Sequence, residues 1–209
     1  MKHINHIWFD LEGTLTPQTP EFHRAHDTLR YEVYAQATGR PLTQSVAQEF
    51  EALYREKGSN SAVFRSIGLP SDYWMRHRDS IDPADFNKPD PKIYGTLQLL
   101  KDRKPISLFT NFRPDYIARS LETINVDPAW FTHILSGDDV PERKPAPDGF
   151  QAMIKLTAVP AGHILYVGDR VDADIKPAKK LGIQTCLMWS ESGEADVSLS
   201  HFQDLLSLL

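Results

Sequence analysis

The chain holds a single cysteine, Cys186, in 209 residues, and one thiol excludes an intrachain disulfide. Cys186 lies in the apolar run Ile183-Gln184-Thr185-Cys186-Leu187-Met188-Trp189, which reads as a buried strand residue in a reducing compartment rather than a catalytic thiol. Long apolar runs are missing as well. No stretch approaches the ~18 residues that a membrane span requires, and the N-terminus lacks a basic region followed by a long apolar segment. A cytoplasmic protein without a membrane partner is the expectation. Positive charge is in deficit: 23 Lys and Arg against 28 Asp and Glu leave a formal net charge of −5. Binders of the phosphate backbone usually carry a basic excess or stripe, so no nucleic-acid polymer is expected as a partner. An acidic protein can still bind a small phosphate locally. The chain has no internal repeat and no low-complexity tract, and its length fits one domain with an elaboration or one large and one small domain.

What is present has two textures. Short β-like runs at 4–9, 106–110, 132–136, 163–168 and 183–189 alternate, after the first, with helical spacing at about 91–102, 114–124, 147–157, 173–181 and 199–208. This is the βαβ pattern of a parallel, doubly wound α/β sheet. Between roughly 20 and 86 strand signal nearly disappears, and helical spacing predicts segments at about 21–37, 43–57, 60–67 and 71–80. An all-helical insertion fits, entered at Thr16-Pro17 and left at Pro89-Asp90-Pro91.

The strongest chemical signal is His6-Ile7-Trp8-Phe9-Asp10-Leu11-Glu12-Gly13-Thr14, a strand that ends in two carboxylates and a Gly-Thr turn. If the strand stops at Asp10, the turn bends Asp10 and Glu12 toward one point, which suits a nucleophile beside an acid/base. Asp-x-Glu-Gly-Thr resembles the first motif of the haloacid dehalogenase superfamily, whose usual form is Asp-x-Asp-Gly-Thr. Three further segments follow in the superfamily's order. Ile106-Ser107-Leu108-Phe109-Thr110-Asn111 is similar to the second motif, Lys144 in Glu142-Arg143-Lys144-Pro145 to the third, and Tyr166-Val167-Gly168-Asp169 with Asp174 to the fourth.

The resemblance implies a Rossmann-like core of 1–16 and 88–209 with an inserted α-helical cap at 17–87. It also implies a magnesium-dependent phosphatase for a small phosphorylated metabolite. Each motif follows a strand, and ligands of doubly wound sheets bind beyond the strands' carboxyl ends. Asp10 is then the in-line nucleophile on a phosphoryl group. A carboxylate attacking a phosphate dianion meets charge repulsion, which a divalent cation relieves. The resemblance assigns magnesium the carboxylates of Asp10 and Asp169 and the backbone carbonyl of Glu12. Thr110 offers a hydroxyl and Asn111 a backbone N–H to the phosphoryl oxygens, and Lys144 a fixed cation. Asp174 orients Lys144 or a metal-bound water from behind, with Asp172 a competitor by proximity. Thr14 braces the loop.

Glu12 departs from the usual Asp by one methylene. Enolase-phosphatases of methionine salvage share Asp-x-Glu-Gly-Thr, so an active phosphatase with this Glu is consistent with the resemblance. Lys-Pro-Asp-Pro leading to Phe-Thr-Asn across residues 86–112 is similar to pyrimidine 5′-nucleotidase relatives, which keeps a nucleotidase among the substrate readings. Two alternatives stand beside the phosphatase. One is a phosphate- or metal-binding regulatory protein on the same scaffold, with Glu12 impaired. The other is a metal-free 2-haloacid dehalogenase, a group that typically places Tyr where this chain has Glu12. The remaining histidine pairs, His3 with His6 and His23 with His26, lack further ligands to complete a shell and read as surface or capping residues. Tyr73-Trp74-Met75-Arg76-His77-Arg78 reads as an apolar helix face with a solvated basic one. Arg113 and Arg170 follow motifs closely and face either substrate or solvent.

Overall fold

The computed structural model describes residues 3–209. The chain begins with β1 (His6–Phe9) and passes through four helices: α1 (Pro20–Ala37), α2 (Gln44–Lys57), α3 (Asn60–Ser66) and α4 (Tyr73–Arg78). It then alternates α5 (Pro91–Lys101), β2 (Ile106–Phe109), α6 (Pro114–Thr123), β3 (Phe131–Leu135), α7 (Asp148–Thr157) and β4 (Ile164–Gly168). Helix α8 (Lys176–Lys180), β5 (Gln184–Met188) and β6 (Val197–Leu199) complete it. Contacts divide the chain into two compact units, one running to Pro17 and resuming over Asn87–Leu209, the other Gln18–Phe86.

In the first unit all six strands are parallel, in the order β3-β2-β1-β4-β5-β6. Parallel sheets need cover on both faces, and β1, β2 and β4 are buried at every position. The period of two sorts their side chains. Ile7, Phe9, Leu108, Leu165 and Val167 join the core on one face, while Trp8, Phe109, Ile164 and Tyr166 join the core on the other. Strand order reverses between β1 and β4, neighbours with Phe9 opposite Val167. Asp10 and Asp169 follow those two strands, so the topology places them at the switch point.

The expected Rossmann-like sheet is thus present, with two local departures. The helix expected at 173–181 is a wide π-helical turn, Val171–Ile175, followed by the short α8. Residues 199–208 do not form one helix: Leu199 ends β6, which pairs with β5 through Cys186–Val197, and Phe202–Leu208 follow as a 3-10 helix. The Val-Ser-Leu strand was hidden because it is only three residues long. It is fixed from outside, since the Asp196 carboxylate accepts from the Thr185 backbone N–H at 2.9 Å. Cys186 is buried within β5, and burial pushes its thiol up to about 12.

The second unit is all-helical. Thr19 and Thr43 cap α1 and α2 by accepting from Phe22 and Val46 backbone N–H groups, and Pro20 occupies the first turn of α1. Tyr34, Phe50, Phe64 and Trp74 form its core, with the Phe64 and Trp74 rings stacked at 5.8 Å. The basic face expected on α4 is not uniformly solvated. Arg76 is exposed and pairs with Asp72 at 2.6 Å, but Arg78 is buried with its guanidinium 4.9 Å above the Phe22 ring. Arg78 stands four residues after the buried Trp74 and so falls on the same helix face. No helix among the described residues is long and apolar enough to cross a membrane.

His6 also departs from expectation, being buried rather than superficial. Its Nε2 shares a hydrogen bond of 2.8 Å with Ser107 Oγ, and its ring stacks with Trp8 and His133. Burial, followed by the His133 ring, lowers its pKa from 6.5 to about 4. The unfolded chain therefore binds more protons than the folded one between those values, and stability falls as pH drops through that window. The loss is about 3 kcal/mol. Urea unfolding of wild type and His6→Phe between pH 7 and 4 checks this: the variant's stability should depend less on pH, and equal slopes remove His6 as the cause.

Candidate active site

The loop after β1 is built on one carbonyl. Leu11 O accepts from the backbone N–H groups of Thr14, Leu15 and Thr16 at 3.3, 2.8 and 3.1 Å. Gly13 turns the chain with a φ of +87°, and a Cβ there would stand 2.2 Å from Asp169 Oδ2. The glycine is needed twice, for the left-handed backbone and for the approach of Asp169. Thr14 is buried and holds the loop through its backbone; its hydroxyl has no hydrogen-bond partner among the described residues. The Thr16 hydroxyl reaches Leu11 O instead, at 3.3 Å.

Lys144 lies at the centre, its side chain 1% exposed. Its Nζ donates to Asp10 Oδ1 at 2.7 Å, Asp174 Oδ1 at 2.7 Å and Tyr166 Oη at 2.8 Å, with Phe109 O at 3.4 Å. Residues from four separate segments thus converge on one ammonium. Asn111 secures it from the backbone side, its Oδ1 accepting from Lys144 N–H at 2.8 Å and its Nδ2 donating to Lys144 O at 2.9 Å. Gly137 permits this, because a Cβ there would meet Asn111 O at 2.2 Å. Asp174 is fully buried, and its second oxygen accepts from the Arg170 backbone N–H at 3.1 Å. The π-helical turn at Val171–Ile175 brings it there, against Gly168, where a Cβ would lie 2.6 Å from Asp174 Cβ.

The electrostatics follow from one buried cation among several acids. Burial alone would raise the Asp174 carboxyl, but Lys144 and Arg170 together with their hydrogen bonds outweigh it and hold it below the ordinary carboxylate value. Asp10 goes the other way: burial, aided by Asp174, exceeds the pull of Lys144 and raises its pKa. Asp169 is pushed up to about 8, first by burial and then by the Asp174 and Asp10 carboxylates. Its Oδ1 is buried with no hydrogen-bond partner among the described residues.

Oxygens of Asp10, Asp169 and Asp174 lie within 4.8 Å of one another. Three carboxyl groups beside one ammonium, one of them with an orphaned buried oxygen, fit a hard divalent cation. The donor set is all oxygen, as magnesium prefers.

Thr110 follows β2 with its hydroxyl buried and without a hydrogen-bond partner among the described residues, so a donor is available there. Glu12 is buried, and the hydroxyl of Tyr116 donates to its Oε1. Asp172 is excluded as a partner of Lys144, since it is exposed and pairs with Lys176 at 2.8 Å. Arg113 and Arg170 have side chains about half exposed. His26 packs against the Trp74 ring in the helical unit, and no histidine joins the acidic cluster among the described residues.

Three contributors escape a reading by motif. Tyr166 was visible only as a hydroxyl inside an otherwise apolar strand, Tyr116 as an aromatic on α6, and Asn111 as a side chain rather than a backbone donor. In each case the partner lies more than 20 residues away in sequence.

A doubly wound sheet that gathers aspartates at its switch point around one buried lysine defines the class to which this molecule belongs, that of α/β proteins with an acidic centre at the strand ends. The sequence profile of the haloacid dehalogenase-like hydrolases matches residues 4–182, and the chain belongs to that family. It is 28% identical over 186 residues to a phosphoglycolate phosphatase of Pseudomonas syringae pv. tomato, covering 85% of this chain and 66% of that protein. It therefore spans slightly less than two thirds of that relative's length. A phosphoglycolate phosphatase of Aquifex aeolicus is 27% identical over 216 residues, with 97% and 95% of the two chains covered. Among solved structures, a haloacid dehalogenase-type phosphatase from Thermococcus onnurineus superposes with a TM-score of 0.70 at 19% identity, covering 98% and 97% of the chains; that likeness is one of fold.

Proposed function

We propose that this protein is a magnesium-dependent phosphatase of a small phosphorylated metabolite, with Asp10 as nucleophile. The observation that carries the reading is the shared ammonium: Lys144 bridges Asp10 and Asp174 at 2.7 Å each while Asp169 Oδ1 has no partner among the described residues. Such a centre fixes one carboxylate for attack and keeps an acidic niche for a cation.

Lys144 holds Asp10 through Oδ1, so Oδ2 is the oxygen presented to phosphorus. Attack breaks the P–O ester bond and leaves an acyl phosphate on Asp10, which water then hydrolyses. Glu12 passes a proton to the departing oxygen and recovers one from the incoming water. The Thr110 hydroxyl and the Lys144 ammonium take the charge on the phosphoryl oxygens. Asp10, Asp169 and the Glu12 carbonyl would hold magnesium, which when bound screens the repulsion between carboxylate and phosphate. The helical unit, inserted between β1 and α5, is the proposed cap that selects the leaving group.

Phosphate release from a panel that includes phosphoglycolate and nucleoside monophosphates, measured with magnesium and with excess chelator, tests the reading. Magnesium-dependent release from at least one ester is expected. A folded protein that releases phosphate from none removes the phosphatase assignment, and halide release from a 2-haloacid in chelator replaces it with the dehalogenase.

A further inference from the structure

The one residue that breaks the usual first motif has a partner outside all four motifs. Glu12 is buried in the turn after β1, and its Oε1 accepts a hydrogen bond from Tyr116 Oη, 104 residues away in sequence. Tyr116 sits in the first turn of α6 and is 1% exposed. Phe112 lies face to face with its ring, centroids 4.3 Å apart and planes at 18°. Pro114 starts the helix, so the segment that presents Thr110 and Asn111 to the centre also fixes the tyrosine.

We infer that Tyr116 is the positioning residue for the Glu12 carboxylate, and that the loop and α6 are built for glutamate. An aspartate at position 12 is shorter by one C–C bond, ~1.5 Å, which takes a carboxylate from hydrogen-bond contact to beyond the ~3.2 Å at which such bonds weaken. Conversely, removing the Tyr116 hydroxyl takes away the hydrogen bond that aims the Oε1 end of this three-bond side chain. General acid catalysis requires the acid within hydrogen-bond reach of the leaving oxygen, so a carboxylate shifted out of that bond is less effective there. The tyrosine thus turns the extra methylene from a misplacement into a defined reach. This inference rests on Glu12 acting as the acid in the proposed phosphatase.

The test compares leaving groups. An alkyl phosphate needs a proton on its departing oxygen, whereas p-nitrophenolate leaves with little help. Tyr116→Phe keeps the ring and its stacking on Phe112 and removes only the hydroxyl. With magnesium present, kcat/KM for the best alkyl ester of the panel should fall ~30-fold, a part of the ~10²–10⁴-fold that general acid catalysis supplies, while kcat/KM for p-nitrophenyl phosphate falls less than about threefold. In a Glu12→Asp background the same tyrosine change should have no effect on either ester. Thermal unfolding of Tyr116→Phe confirms that the fold is kept. Equal losses on the two esters, or an undiminished effect of Tyr116→Phe in the Glu12→Asp background, overturn the positioning role and leave the phosphatase standing. A wild-type protein inert toward both esters removes the phosphatase reading, and this inference with it.

Discussion

Asp10→Asn lowers turnover ~10⁴-fold or more, the scale on which loss of a covalent nucleophile acts, and leaves the protein folded. Asparagine matches aspartate in shape and keeps an oxygen for the 2.7 Å bond from Lys144. It cannot form the acyl phosphate. The stability side of the expectation is as specific as the kinetic one. Burial raises the Asp10 carboxyl above its ordinary value, so at neutral pH its charge disfavours the folded state. A neutral amide relieves the cluster of Asp10, Asp169 and Asp174 of one negative charge, and in chelator the variant should melt no lower than wild type. Phosphate release and thermal unfolding on the same preparation check both halves. Activity within tenfold of wild type takes the nucleophile role away from Asp10.

The sheet and the acidic centre were legible for different reasons. Apolar runs of four or five residues, each ending in Asp, Thr-Asn or Gly-Asp, mark buried parallel strands and announce where the chain turns out of the sheet. The strand ends at Asp10, Thr110 and Asp169 therefore follow from local pattern. Lys144 has no such signal from the strand pattern, because it sits in a loop, and only its likeness to a motif singled it out. What the sequence concealed is cooperative. Tyr166 reads as one more strand aromatic until the fold carries Lys144 to within 2.8 Å of its hydroxyl. Asp174 reads as a helical residue at 173–181, yet a π-helical turn at Val171–Ile175 supplies the geometry that buries it. No propensity scale anticipates that turn, because its stabilisation comes from bonds between Asp174, the Arg170 backbone and Lys144. His6 and Arg78 were misplaced for a related reason. A polar ring among Trp8, Ser107 and His133, or a guanidinium over Phe22, is stable only when tertiary partners satisfy it.

Lys144→Met tests whether the ammonium holds the fold as well as the site. Methionine fills nearly the same volume and removes the charge. Asp174, with a side chain 0% exposed, then loses the cation that holds its pKa down, and breaking one partner of a buried pair costs about 3–5 kcal/mol. The pH dependence separates this from simple loss of packing. In wild type the Asp174 carboxyl is depressed by Lys144 and Arg170; its contribution is present above the ordinary carboxylate range and fades as pH falls below it. In the variant the buried carboxylates titrate high, the folded state binds more protons than the unfolded, and stability declines as pH rises. Urea unfolding in chelator at pH 5 and pH 8 should therefore show the larger deficit at pH 8, with magnesium restoring part of it by supplying positive charge to the same oxygens. A deficit equal at both pH values assigns the loss to packing and denies the ammonium its electrostatic role. Lys144→Arg sharpens the point. A planar guanidinium keeps the charge but cannot place one nitrogen against Asp10, Asp174 and Tyr166 at 2.7–2.8 Å, so it should recover stability ahead of activity.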